Sequence, residues 1–243
     1  MVKRAPKRRV GIAGALLRLG LAAAFWWVIL VGVDVNRVIP AGWNPFAPFR
    51  VTDPVTALTQ WRLTRALDDP DSCLAALEGA VDFVVMPDFE ATDQASSNGR
   101  VSLARVGQAD IKPVEIQCAV AVRMAMWERY SLQPAAKQMG TSVATIDQIG
   151  SYSSREIQTD DGPTGRMSTH ATASAIDVAG FRFANGETAR LIRDWDAADE
   201  KAAFLRKAKL GACEWFRLTL SPDYNALHAD HFHLQSKGWG ECR

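Results

Sequence analysis

The sequence contains no internal repeat, no low-complexity tract and no Cys-x-x-Cys pair. The first two absences exclude a solenoid and a compositionally driven disordered chain. The third removes a cysteine zinc ribbon. An excess of one charge is also missing: 28 Lys and Arg face 27 Asp and Glu, for a formal net charge of +1. The distribution is uneven, because residues 1–18 hold six basic residues and no acid, which leaves 22 basic against 27 acidic residues, a net of −5, in 19–243. A negatively charged body without a basic stripe excludes nucleic acid as a partner on charge grounds. An uncharged apolar run of full membrane length is lacking too. The stretch from Val10 to Val33 is broken by Arg18, and its uninterrupted part, Leu19 to Val33, has 15 residues. A span needs about 20.

What the N-terminus does have is a targeting pattern. Lys3, Arg4, Lys7, Arg8 and Arg9 precede the apolar run, and no convincing small-x-small cleavage site follows it. Residues 1–35 are therefore expected to form a basic tail and an uncleaved signal anchor, with a transmembrane helix through residues 10–33 and Arg18 reaching back to the headgroups. A cleaved signal peptide is the other reading. The charge bias places the N-terminus inside and the rest outside. Cys73, Cys118, Cys213 and Cys242 then lie where disulfides persist. Four cysteines allow three pairings. The preferred one is Cys73–Cys118 with Cys213–Cys242, the latter stapling the chain's end onto a helix.

Hydrophobic residues make up 48% and charged residues 23%, ordinary values for a globular protein with a real core. Pro40, Pro45, Pro48 and Pro54 mark residues 36–54 as a linker, leaving 55–243 as one domain. Helical spacing runs through 55–80, 119–138 and most of 188–217. Short strands are expected within 81–118, at 143–152 and 175–183, and from Asp230 to Leu234. Trp127, Trp195 and Trp215 fall at core-like positions, and Trp239 is expected to pack. The pattern is α+β: a small, mostly antiparallel sheet flanked by helices.

Histidine is scarce, and its placement is the informative feature. All four residues fall in two short segments, Ser168-Thr-His-Ala-Thr-Ala-Ser-Ala-Ile-Asp177 and His228-Ala-Asp-His-Phe-His233. Imidazole nitrogens with one carboxylate oxygen suit zinc, the fourth position being left to solvent. His231 and His233 are two apart and share a face on a strand. His170 and Asp177 are seven apart, so they converge only if a turn lies between them. Ser168 and Thr169 are placed to hydrogen-bond around the ligands. Ala171, Ala173 and Ala175 permit close packing.

The spacing His-x6-Asp followed by His-x-His resembles the zinc signature of the lysostaphin-type peptidases, the D-alanyl-D-alanine carboxypeptidases and the hedgehog domain. The run from Gly150-Ser-Tyr through Asp177-Val-Ala-Gly-Phe, Gly211-Ala-Cys, Ser221-Pro-Asp-Tyr-Asn and His228-Ala-Asp-His-Phe-His to Cys242-Arg243 resembles the bacterial extensin-like C-terminal domain family. That resemblance implies zinc on His170, Asp177 and His233, with Asp230 or His231 as the acid/base. It also implies that Arg155 meets a substrate carboxylate or carbonyl. Read from the residues alone, His228 is a loop residue or one that borders the substrate cleft, and Tyr224 a packed residue or a substrate-binding donor to an oxyanion. If Asp230–Leu234 is a regular strand, Asp230 points away from the other two and His231 becomes the base. The chain departs from the family's pattern at Ser154, often a cysteine, and at Gln235, often an aspartate. The implied function is a zinc-dependent peptidase, endopeptidase or carboxypeptidase, acting on peptidoglycan stem peptides in the periplasm from an inner-membrane anchor. A non-catalytic, zinc-stabilised cell-wall-binding module is the alternative.

Overall fold

The computed structural model describes residues 12–32, 39–87, 89–92, 95–97, 99–159 and 162–243. The basic cluster at 3–9 lies outside the described residues. The chain divides into two compact units, Met1–Ala47 with Pro54–Thr59, and Pro48–Asp53 with Gln60–Arg243.

The first unit contains helix α1 (Ile12–Gly32) and a 3-10 turn at Ala41–Trp43, where Thr56 Oγ1 donates to Gly42 O at 2.7 Å. Among the described residues no helix is long and apolar enough to cross a membrane. This overturns the expected transmembrane helix through residues 10–33. The physical reason is a charge: Arg18 sits inside α1. A mid-helix arginine costs roughly 2.5–3.5 kcal/mol on insertion.

The remaining helices are α2 (Thr59–Leu67), α3 (Pro70–Leu77), α4 (Cys118–Trp127, continued by a π turn at Glu128–Leu132), α5 (Gln133–Lys137), α6 (Leu191–Asp194) and α7 (Glu200–Trp215). The strands are β1 (Val81–Met86), β2 (Phe89–Thr92), β3 (Ala95–Ser97), β4 (Arg100–Val106), β5 (Ala109–Gln117), β6 (Val143–Gly150), β7 (Glu156–Thr159), β8 (Gly162–Met167), β9 (Ala175–Phe183), β10 (Thr188–Arg190), β11 (Leu218–Leu220), β12 (Phe232–Gln235) and β13 (Glu241–Cys242). Nine of them form one sheet in the order β1-β4-β5-β6-β9-β12-β11-β13, with β10 also on β9. The α+β class is as expected. The sheet is larger than expected, and the parallel pairs β5–β6 and β11–β13 make it mixed. Such pairs join segments far apart in sequence, which no local pattern reports. β2–β3 and β7–β8 are separate hairpins.

Helices α4 and α7 meet the sheet over a shared core. Trp127 is fully buried, stacks edge-on against Phe181, Phe216 and Phe232, and donates its indole N–H to Ala208 O at 2.8 Å. Trp195 and Trp215 are buried as well, whereas Trp239 is 99% exposed and packs on nothing. Gly211 is required where α7 crosses the π turn, since a Cβ there would lie 2.2 Å from Ser131 Cβ. Both preferred disulfides form: Cys73–Cys118 joins α3 to α4 across 45 residues, and Cys213–Cys242 ties β13 to α7 across 29. In the chain-entropy account, loops of this size are worth roughly 4 kcal/mol each.

Candidate metal centre

β9 and β12 position two of the candidate ligands by register alone. In their antiparallel pairing His233 lies directly opposite Asp177, and Phe232 opposite Val178. Alternation sends Phe232 and Leu234 into the core and leaves His233 and Gln235 on the other face. On β9, Ile176 and Val178 are core residues, so Asp177 shares the face of His233.

His170 arrives from the 3-10 turn Thr169–Thr172. Ser168 Oγ caps that turn by accepting from His170 N at 3.3 Å. Ala173 ends it in the left-handed region, at φ 53°. This one residue reverses the chain into β9 and resolves the seven-residue spacing of His170 and Asp177. Ser168 thus bonds the backbone of the turn and not the rings, and Thr169 Oγ1 has no partner among the described residues.

The three side chains converge. His170 Nε2 lies 3.1 Å from His233 Nδ1 and 3.3 Å from Asp177 Oδ2, and His233 Nδ1 lies 2.8 Å from Asp177 Oδ1. All three residues are buried, and their donor atoms lie within 4.8 Å of one another. His170 Nδ1 donates to the carbonyl of Ser151, which leaves Nε2 with its lone pair facing inward. Gln235 Nε2, 2.6 Å from His233 Nε2, donates to that ring nitrogen, so the His233 proton sits on Nδ1. One N–H is therefore shared between a carboxylate oxygen and an imidazole lone pair. Two imidazoles and a carboxylate converging on one point are a donor set that fits zinc.

The electrostatics agree with that fit. Burial opposes ionisation of Asp177, but the hydrogen bonds and charge of His170 and His233 outweigh it and hold the carboxyl well below the usual range. Burial, opposed by Asp177, holds the His233 imidazole below its ordinary pKa, a shift towards the neutral form that binds metals. His228 is pushed down to about 4 by burial and by the charges of His231 and His233.

The ligand set forms part of a cleft of about 770 Å³ whose lining includes Arg155, Arg166, Tyr224, His228, His231 and Gln235. His231 Nε2 stands 3.7 Å from Asp177 Oδ1. Its Nδ1 is held by Asp230 Oδ1 at 2.7 Å. Asp230 itself is more than half exposed and lies outside the cleft lining. The strand begins at Phe232, so Asp230 and His231 belong to the turn before it. His228 Nδ1 is bound by Asn225 Oδ1 at 2.6 Å, and the Tyr224 ring stands edge-on to it. The loop carrying Tyr224 and Asn225 is anchored through Asp223, which accepts from Trp195 Nε1, Arg206 and Lys209.

Two participants escaped the sequence reading: the Ser151 carbonyl and Arg166. A backbone acceptor leaves no mark on residue type. Arg166 is signalled only by the hairpin β7–β8, whose strands begin just after Arg155 and end just after Arg166.

A model of the extensin-like protein C-terminus matches residues 71–243. No curated protein and no solved structure matches the chain. The matched span includes every residue of the cleft, and the chain belongs to the family of the extensin-like protein C-terminus.

Proposed function

We propose that the cleft is the active site of a zinc-dependent peptidase that cleaves peptidoglycan stem peptides in the periplasm. The observation that carries this reading is the convergence of His170 Nε2, Asp177 and His233 Nδ1 beside His231 in an open cleft. Among the described residues no fourth His, Cys, Asp or Glu joins the set, which favours a catalytic over a closed structural site. Both disulfides fit an oxidising compartment.

His170, Asp177 and His233 would hold the metal. Zinc bound there would polarise a peptide carbonyl and acidify a neighbouring water. His231 takes the proton from the attacking water and delivers it to the leaving amine, so that one peptide bond and one water become a carboxylic acid and an amine. Asp230 sets the tautomer of His231 by holding Nδ1, which turns Nε2 to the site. Arg155 and Arg166 at the cleft wall receive an anionic end of the peptide.

The test uses the full chain loaded with zinc, purified muropeptides, and mass spectrometry of the products. His231→Ala is expected to lower kcat by roughly 10²–10⁴-fold, and Asp230→Asn by less, with zinc content unchanged in both. Muropeptide binding without cleavage by the zinc-loaded wild type refutes the peptidase and leaves the zinc-stabilised binding module.

A further inference from the structure

The end of β12 divides between two cavities. His233 and Gln235 face the cleft, while the next residues, Ser236 to Gly238, line a second cavity of about 550 Å³. Three cations border this second cavity: Arg123 from α4, Arg217 ahead of β11 and Lys237. The first turn of α4, Cys118 and Ala119, faces it as well. The N-cap of that helix, Gln117, makes no side-chain cap; its side-chain oxygen accepts from Ser174 Oγ instead. The Cys118 N–H is given to Gly99 O at 2.8 Å, and a helix of ten residues so ended carries a partial positive charge at this end.

Arg123 is the decisive residue. It is 5% exposed, its Nη1 donates to the Trp215 carbonyl, and its Nε has no partner among the described residues. No carboxylate of the described residues forms an ion pair with it, and the nearby charge of Arg217 repels it. Burial and that repulsion push its pKa down to about 10. The one acid at the cavity, Asp68, is exposed and forms no ion pair with Arg123. A buried guanidinium without a counter-charge is costly, and an anion in the cavity offsets the cost.

We propose that this cavity is a second, zinc-independent site that binds an oxyanion, a carboxylate or a phosphate, between Arg123, Arg217 and Lys237 at the amino end of α4. The bonds to it are charge-assisted, and the two arginines suit planar or bidentate oxygens. The site uses none of the metal ligands, so it stands whether or not the cleft is catalytic.

Calorimetric titration of inorganic phosphate and, separately, acetate into the chelator-treated full chain at low salt tests this. Saturable one-to-one binding of at least one anion is expected. Binding of phosphate alone assigns a phosphate ester as the ligand type; binding of acetate, alone or with phosphate, assigns a carboxylate. Arg217→Ala and Lys237→Ala, both at exposed positions that leave buried Arg123 in place, are each expected to weaken binding about tenfold. His170→Ala is expected to leave it unchanged. The proposal is overturned by the absence of saturable binding of either anion, by undiminished binding in the Arg217→Ala/Lys237→Ala double variant, or by loss of binding in His170→Ala.

Discussion

Gln235 offers the sharpest quantitative test of the metal centre. Its Nε2 lies 2.6 Å from His233 Nε2 and donates to it, which places the ring proton on Nδ1. A metal on Nδ1 requires the other tautomer, with the proton on Nε2 and an acceptor facing it. Gln235 supplies that acceptor by turning its amide through half a rotation, presenting Oε1 where Nε2 was. Gln235→Leu removes both options. Loss of such a partner typically costs 10–100-fold in metal affinity. Because Gln235 is only partly buried, the lower end, about tenfold or roughly 1.4 kcal/mol, is expected. Gln235→Glu keeps the shape and supplies a permanent, charged acceptor, so zinc affinity is expected to rise by about the same factor. Competition with a fluorescent zinc chelator at about pH 7.5, where free imidazole is mostly neutral, measures both. Equal affinity in Gln235→Leu and the wild type, or a weaker Gln235→Glu, would falsify the assignment of His233 Nδ1 as the ligand atom.

Zinc removal is expected to lower Tm. At free zinc 100 times Kd, the linkage is worth about 2.7 kcal/mol, or roughly 5–11 °C for a chain of this size, and calorimetry of His170→Ala should show no zinc-dependent shift. Ala173→Val places a branched, buried side chain in the left-handed region and should cost at least about 1–2 kcal/mol in urea unfolding, whereas Ala173→Gly should stay within about 1 kcal/mol of the wild type. Asp194 is held below the usual carboxylate range by its bond from Arg193, with the Arg190 N–H contributing against burial. Its stabilisation is therefore fully present above the unfolded pKa of about 3.9 and is lost as pH falls through the lower folded value. Asp194→Asn should accordingly be less stable near neutrality by about 1–2 kcal/mol, with the difference from wild type narrowing in denaturant titrations toward pH 2.

Much of the candidate set was legible because chemistry concentrates rare residues: four histidines in two segments point to one place without any knowledge of the fold. The seven-residue gap between His170 and Asp177 demanded a turn, and that turn exists, but its device, a left-handed Ala173, has no sequence signature since alanine rarely adopts that conformation. The geometry around Asp230 turned on where β12 starts. Alternation applies only within a strand, and two residues of boundary decided which side chain faces the metal set. The extent of the sheet was hidden for another reason. β13 is two residues long and pairs with β11 beside a disulfide that ties it to α7, a long-range arrangement. The apolar N-terminal run misled because hydropathy was read over Arg18 as though the charge could be moved aside; among the described residues no helix is long and apolar enough to cross a bilayer.

The pairing of His233 with Asp177 has a consequence for how the domain reaches its folded state. β12 offers only four residues to β9, too few for backbone hydrogen bonds to discriminate strongly between alignments. A slip by one position would bring Phe232 out of its aromatic pocket and turn His233 inward, scattering the donors. Only the correct alignment, completed by the turn from Thr169 to Thr172, assembles a set that can capture a cation. On the proposed zinc reading, capture of the ion would act as proofreading: it would be retained by chains whose strands have docked in frame and lost by those that have not.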